Sequence, residues 1–366
     1  MVSKQRLSEI ALLQRGLTYN KGDEVPSSSK IVLRSNNIDL DSHSLDLSEL
    51  KYLREDFVIP EDRKVKKDSI FICMSNGSKQ HVGKVAFIDR DMDYAFGGFM
   101  GLIIPKPSIS AKYAFYACNS SSYRTFLSQI GNGIGITNLR FSELEKFEIP
   151  VPSIEEQQRI VDELDLLSGI IDKKNAQLRD LDALAQSIFY EMFGDPIAND
   201  KRWGMKKVIE VVKMQRGFDL PVQDRVSTGR IPVYGSNGIV GMHSQSKVSE
   251  GIITGRSGTI GRVDCCRNPF WPLNTTLFSI DCRGNNVIYL KYLMSNFHLK
   301  RFSAGAGVPT LNRNDFHEEP IIDVPLEMQV SFASKVEAIE NYKNIIRQSL
   351  TENQLLLDSR MNAYFT

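Results

Sequence analysis

The chain repeats itself. Gln14-Arg15-Gly16 returns as Gln215-Arg216-Gly217, 201 residues later. Gly83-Lys84-Val85 returns as Gly261-Arg262-Val263 after 178 residues, and Gly131-x-Gly133 as Gly305-x-Gly307 after 174. Val151-Pro152 returns as Val324-Pro325 after 173, and Phe193 as Phe365 after 172. The order is kept and the spacing shrinks steadily, so one copy simply has shorter loops. Most of the difference falls between the first two anchors. Self-similarity at fixed order bounds the fold before any other signal. Two copies are too few for a solenoid, so the chain must be one unit used twice.

Each unit has a mixed part and a helical part. Short β-like runs such as Ser69–Cys73, Lys84-Val-Ala-Phe-Ile88, Met100-Gly-Leu-Ile-Ile104 and Gly251-Ile-Ile-Thr254 alternate with Gly, Asn, Ser and Pro turns. Residues 112–130 and 286–302 read as helices. This is a compact head rather than an alternating βαβ sheet. The helical part opens at Ser153, a cap with Glu156 three residues on. Apolar residues follow at Ile160, Leu164, Leu167, Ile171, Leu178, Leu181, Ala185, Ile188 and Met192, in heptad steps with Lys174 at the one missing position. Gly194, Asp195 and Pro196 stop the helix. A looser seam in the second copy runs through Val336, Ile339, Ile346, Leu350, Leu357, Met361 and Tyr364. A lone helix of this kind cannot bury its stripe.

The predicted fold is therefore α+β. Two globular α/β heads (residues 1–150 and 196–323) alternate with two long coiled-coil-like helices (151–195 and 324–366). The helices are expected to pair antiparallel, with pseudo-twofold symmetry and the heads at opposite ends. Forty residues at about 1.5 Å each give a rod of roughly 60 Å. Such a rod can set two readers one to two turns of B-DNA apart, a turn being about 34 Å.

The net charge is only +1, but its distribution says more. Residues 196–323 carry 17 Lys and Arg against 11 Asp and Glu, and residues 1–150 carry 20 against 18. Residues 151–195 carry 4 against 10. Basic heads suit a polyanion such as double-stranded DNA, and acidic helices suit another partner. In the first head the candidate contacts are Asn76, Ser78, Lys79, Gln80, His81 and Lys84, with Asn132 and Asn138 in a second Gly-rich loop. In the second they are Arg256, Ser257, Thr259 and Arg262, with Thr310 and Asn312. Arg, Lys, Asn and Gln can pair with base edges or hold phosphates, and Gly lets the backbone come close. Each of these residues can equally be an ordinary turn residue.

Catalytic and metal motifs are missing. There is no phosphate-binding G-x-x-x-x-G-K-[ST], no H-E-x-x-H and no G-x-S-x-G. Gly131-Asn-Gly-Ile-Gly135 lacks the strand and helix of a dinucleotide fingerprint. Asn268-Pro-Phe-Trp271 has one proline where an amino-methyltransferase signature has two. Pro60-Glu-Asp-x-Lys64 reads as a charged loop. His43, His81, His243, His298 and His317 are scattered. Five cysteines without C-x-x-C spacing fit a reducing cytoplasm, and the vicinal pair Cys265-Cys266 reads as a strand end. No signal peptide is expected from the charged first 14 residues, and no run is long and apolar enough to span a membrane.

The segment Ile149-Pro-Val-Pro-Ser-Ile-Glu-Glu-Gln157, followed by Ile160-Val161, resembles the junction after each recognition domain in specificity subunits of type I restriction–modification systems. Gly131-x-Gly133, Leu139 with Leu144, and Ile188-Phe-Tyr-Glu-Met-Phe-Gly-Asp195 resemble the same family. The second junction, Ile322-Asp-Val-Pro-Leu-Glu-Met-Gln329, departs from it, lacking the first proline and the Glu-Gln pair. The resemblance spans nearly the whole chain. It implies a non-catalytic, sequence-specific DNA-binding subunit whose two target recognition domains each read half of a split target. It also implies docking of two modification (methyltransferase) subunits on the helices, and of restriction subunits. S-adenosylmethionine, ATP and Mg would then sit on those partners, with no cofactor or metal on this chain. Two other readings stay open: a non-catalytic two-headed protein scaffold, and the specificity subunit of a related fused methyltransferase–nuclease system.

Overall fold

The computed structural model describes residues 2–40, 42–130, 137–305 and 307–366. The predicted α+β organisation is present, and by packing the chain forms two units. One comprises residues 1–173 with 349–366, and the other residues 174–348. Each unit thus owns one head and one end of each long helix.

In the first unit the main sheet runs Ala11–Arg15, Met100–Pro105, Ser69–Cys73, Val85–Ile88, antiparallel throughout. Its inner strand Ser69–Cys73 is wholly buried. Ile70 and Ile72 face a core built with Tyr113, Ala114 and Ala117 of the helix Ala111–Ala117. Phe71 and Cys73 face Leu33 and Phe96 of a smaller sheet. A strand covered on both faces has no reason to alternate, which is why Ser-Ile-Phe-Ile-Cys reads as one apolar run. The smaller sheet runs Glu24–Val25, Lys51–Leu53, Lys30–Leu33, Tyr94–Phe96, the last pair being parallel. Lys4–Arg6 and Glu148–Pro150 close the head as a separate pair.

The second unit repeats this plan with one strand fewer in its smaller sheet. Its main sheet runs Lys213–Arg216, Thr276–Asp281, Gly251–Gly255, Val263–Cys266. Its smaller sheet runs Gly238–His243, Ile231–Gly235, Trp271–Pro272, again with a parallel pair. Gly204–Lys207 and Pro320–Asp323 close the head. Local devices repeat too. The Arg6 N–H donates to the Glu9 carboxylate at 2.8 Å, and the Lys207 N–H to Glu210 at 2.9 Å.

The repeated glycines have a steric cause. A Cβ on Gly16 would lie 2.0 Å from the Gly97 carbonyl oxygen, and one on Gly217 2.2 Å from that of Leu273. Gly83 and Gly261 have φ of +83° and +98°, a left-handed backbone that favours glycine.

The long helices are Ile154–Phe193 and Leu326–Phe365, each of 40 residues. The Ser153 hydroxyl caps the first by accepting from the Glu156 N–H at 3.3 Å. The Glu156 carboxylate takes the Arg159 guanidinium instead of reaching back. In the first unit Arg159 lies over the Tyr364 ring, and Glu163 meets Arg360 at 2.9 Å. In the second, Asp182 meets the buried Lys343 Nζ at 2.5 Å, and Lys335 Nζ lies 3.9 Å from Met192 Sδ. In both units rising numbers on one helix meet falling numbers on the other, so the helices are antiparallel there.

The sequence reads the seam as a helix-pairing stripe; the structure also builds it into the head cores. Ile160, Val161, Leu164, Met361 and Phe365 join Leu7, Ile70 and Tyr113 in one cluster. Ala185, Val336 and Ile339 join Val208, Leu277 and Leu293 in the other. Near the end of the first helix the deepest residues are Phe189 and Phe193, not Ile188 and Met192. Phe189 packs on Tyr289, Tyr292 and Phe332 at ring separations of 6.2, 6.3 and 5.7 Å.

The second junction also keeps its glutamine. Gln157 and Gln329 stand at the same helical position and are 0% and 1% exposed. The Gln157 Oε1 accepts from the Ser110 N–H at 2.8 Å, and its Nε2 donates to the Ser108 and Pro152 carbonyls. Gln329 Oε1 accepts from the Asn286 N–H at 2.9 Å, and its Nε2 donates to Asn285 Oδ1 and the Val324 carbonyl. Each glutamine ties a long helix to the N-terminus of a head helix. A buried amide with its hydrogen bonds made fixes one geometry, because any other leaves polar atoms orphaned.

Candidate nucleic-acid interface

In each head three loops meet at one edge of the main sheet, held by the same backbone bonds. In the first head the Met74 and Ser75 N–H groups donate to the Phe99 carbonyl, at 2.8 and 3.1 Å, and Leu139 N–H to Met74 O at 2.7 Å. In the second the Arg256 and Ser257 N–H groups donate to the Thr275 carbonyl, at 2.8 and 3.2 Å, and Leu311 N–H to Arg256 O at 2.7 Å. Isolated bridges join Ser75 to Asn138 and Ser257 to Thr310. The frame is common and the side chains on it differ. Met74 stands where Arg256 does, and Phe99, 73% exposed, where Thr275 does.

The sequence candidates divide once placed on this frame. Ser78, Lys79 and Gln80 are exposed on the first loop, and Asn138 on the facing one. Asn76 is a turn residue: its Oδ1 accepts from the Ser78 N–H at 2.8 Å and its Nδ2 donates to Ser35 Oγ at 2.8 Å. His81 is half-buried, and burial first, then Lys84, lowers its pKa, so it stands neutral. Lys84 points inward. It is 9% exposed, its Nζ donates to the Ile38 carbonyl at 2.7 Å, and burial lowers its pKa. That ammonium is held by the head itself and leaves the set that presents charge. Asn132 lies outside the described residues, as do Gly131 and Gly133.

In the second head Arg256 and Ser257 are half-buried at the frame, and Thr259 is exposed. Among the described residues the Arg256 guanidinium forms no ion pair. Arg262 grips Asp264 with two nitrogens, at 3.0 and 3.2 Å, and reaches the Asn237 carbonyl at 3.4 Å. Thr310 Oγ1 donates weakly to Val308 O at 3.5 Å, and Asn312 Oδ1 accepts from the Asn314 N–H at 3.1 Å. The same edge carries residues outside the sequence candidates: the turn tips Phe99 and Thr275, and Ser35-Asn36 and Ser236-Asn237 in the turns after Leu33 and Gly235. Their one available signal was that Ser-Asn recurs 201 residues apart, the same offset as Gln-Arg-Gly.

The other motifs are spent on structure. Phe270 and Trp271 of Asn268-Pro-Phe-Trp271 are buried, at 0% and 7% exposure. Burial pushes the Cys265 thiol up to about 11 and that of Cys266 to about 12, leaving both unreactive. Among the described residues no three His, Cys, Asp or Glu side chains could hold a metal ion, and no helix is long and apolar enough to cross a membrane.

His317 gives the second head a pH dependence. It is buried, and its Nε2 accepts from the Met214 N–H at 3.1 Å. Burial, then Arg313, lowers its pKa below 6.5. The folded state therefore releases the proton more readily than the unfolded one. Its stabilising contribution is full above about pH 6.5 and is lost as pH falls through the lowered folded value. We expect hydrogen-exchange protection of residues 213–216 to fall between pH 7 and about pH 5. His317→Gln, which keeps an acceptor, should flatten that fall; equal falls in both proteins would contradict the assignment.

Residues 2–180 match the family described as Type I restriction modification DNA specificity domain. Over those 179 of its 366 residues the chain is similar to that family. It is 32% identical over 183 residues to the StySPI specificity subunit of Salmonella potsdam, covering 48% of this chain and 38% of that protein. It is 27% identical over 194 residues to the EcoKI specificity subunit of Escherichia coli K12, covering 52% and 41%. The aligned stretch thus spans about two fifths of each of these type I relatives. Two solved chains share the fold. One is the S subunit of a type I system from M. genitalium, with a TM-score of 0.59 at 15% identity, covering 100% of this chain and 96% of that one. The other comes from a structural study of complex assembly and conformational transition in the type I R-M system, with a TM-score of 0.56 at 15% identity and coverage of 98% and 96%.

Proposed function

We propose that this chain is the sequence-reading DNA-binding subunit of a type I restriction–modification complex acting in the cytoplasm. Each head reads one half of a split double-stranded target. The observation that carries this reading is the doubled frame with unlike faces: one backbone scaffold, used twice, presents different side chains to a ligand. That is what an asymmetric bipartite target requires of a duplicated reader. The chain supplies no chemistry. Two modification subunits bring S-adenosylmethionine and methylate adenine, and restriction subunits bring ATP and Mg when cleavage is added. The long helices offer those partners acidic surface broken by exposed apolar side chains, Leu166 and Leu355 in one unit and Leu184 and Ile345 in the other.

The test is methylation sequencing of the host genome with and without the gene. A two-part N6-methyladenine motif with a fixed gap should vanish on deletion. Unchanged methylation beside an active modification gene would reject the reading and leave a protein scaffold in its place.

A further inference from the structure

The two heads share some exposed side chains at the candidate edge and differ in others. Arg15 and Arg216 occupy equivalent ends of equivalent strands, and both are exposed. Ser35-Asn36 and Ser236-Asn237 occupy equivalent turns after Leu33 and Tyr234, with the serine half-buried and the asparagine exposed in both. Both features flank one turn. Two residues beyond each arginine, Leu17 bridges Gly97 and Phe218 bridges Leu273. On the other side the Gly97 N–H donates to Leu33 O and, in the second head, the Leu273 N–H to Tyr234 O, both at 2.9 Å. The turn tips themselves are Phe99 and Thr275, which are unlike.

An asymmetric target offers the two heads different bases but the same sugar–phosphate backbone. Residues identical in both heads cannot tell the halves apart, whereas the tips can. We infer that Arg15 and Arg216, with the Ser35 and Ser236 hydroxyls, hold the DNA phosphates, and that Phe99 and Thr275 between them face the bases. This rests on the DNA-reading function proposed above. The local chemistry agrees. Ser35 Oγ already accepts from Asn76, so its proton is left to donate outward. Arg216 is held to Asp219 only at 3.9 Å, an exposed contact that a phosphate can displace. Arg15 lies over the Phe141 ring, its Cζ 5.6 Å from the centroid, which keeps it extended beside the Asn138 loop. Phe99 is the one exposed phenylalanine among the described residues, and its carbonyl is fixed by two N–H groups. It can meet a thymine methyl or wedge a base step.

The experiment measures DNA binding by the chain assembled with its modification subunits, across a salt series, on the methylated-motif duplex and on a random duplex. Arg15→Ala and Arg216→Ala should each weaken binding about tenfold to both duplexes and reduce the log–log salt slope by about 0.9. The methylated motif should stay the same. Arg15→Lys and Arg216→Lys keep the charge and should keep the slope, which separates a lost phosphate contact from a damaged head. Phe99→Ala should relax or change one half of the motif with the slope unaltered. An unchanged slope in the alanine variants, or an altered motif, overturns the inference while the function stands. An unsubstituted complex that does not prefer its motif duplex to random DNA sinks the function itself.

Discussion

Valine in place of Gly16, or of Gly217, is expected to cost at least about 3 kcal/mol, enough to remove much of the stability of the unit that holds it. The cause is close approach. The backbone leaving Ala11–Arg15 passes over the turn at residues 96–97, and a Cβ on Gly16 would meet the Gly97 oxygen at 2.0 Å and the Phe96 oxygen at 2.6 Å. On Gly217 it would meet the Leu273 and Pro272 oxygens at 2.2 and 2.6 Å. These are backbone atoms inside sheet pairings, so no flexible side chain can swing aside. Relief requires parting the strand from the turn that carries Phe99 or Thr275. Gly22→Ala is the control, since nothing lies within 4 Å of its added carbon. Urea unfolding followed by hydrogen exchange in residues 11–15 or 213–216 reads the effect. A Gly16→Val protein as stable as Gly22→Ala would show that the crossing yields.

That glycine also shows how much the sequence could say. The repeat was visible because identical steric demands forced identical residues, at Gln-Arg-Gly and at Gly83 and Gly261. The helices were visible because their apolar period is local. What stayed hidden depends on partners far along the chain. Ala11–Arg15 pairs with Met100–Pro105, across some ninety residues, and no local pattern specifies that register. Gln157 and Gln329 are polar residues in the first turns of their helices, yet both are buried clasps. Lys84 reads as a basic contact in a Gly-rich loop, but its direction is decided by the Ile38 carbonyl, 46 positions away. Ile188 and Phe189 are adjacent apolar residues, and a seven-residue period cannot choose between them. The head core chooses, by supplying Tyr289, Tyr292 and Phe332 as partners for the ring. The candidate site was legible in the sequence as loops, not as residues, because loop side chains take their direction from the frame beneath them.

On the proposed function, a chimera in which residues 1–150 come from one of the similar type I specificity subunits is expected to exchange one half of the methylated motif and leave the other half and the adenine chemistry unchanged. The expected effect is complete: methylation at the old target lost, methylation at a hybrid target gained. The prediction depends on where the graft meets the helices. Lys112 Nζ and Tyr116 Oη converge on the Asp165 carboxylate at 2.5 and 2.7 Å, and the Ser110 N–H is held by Gln157. The Tyr113 and Phe365 rings meet at 5.0 Å, tilted by 53°, and the Tyr113 hydroxyl donates to the Pro150 carbonyl at 2.9 Å. A donor head that keeps a lysine, two tyrosines and the Ser110 backbone turn at these positions will seat on the same helices. One that does not will need its own residues 151–168 as well. The buried glutamine makes the difference measurable, because a head seated without it leaves an amide unpaired and a head helix without its tie. If a correctly seated chimera changes both halves of the motif, the two heads do not read independently. If it changes neither, the DNA contacts lie outside residues 1–150, and the loops around Ser75, Phe99 and Asn138 are turns that hold the head together.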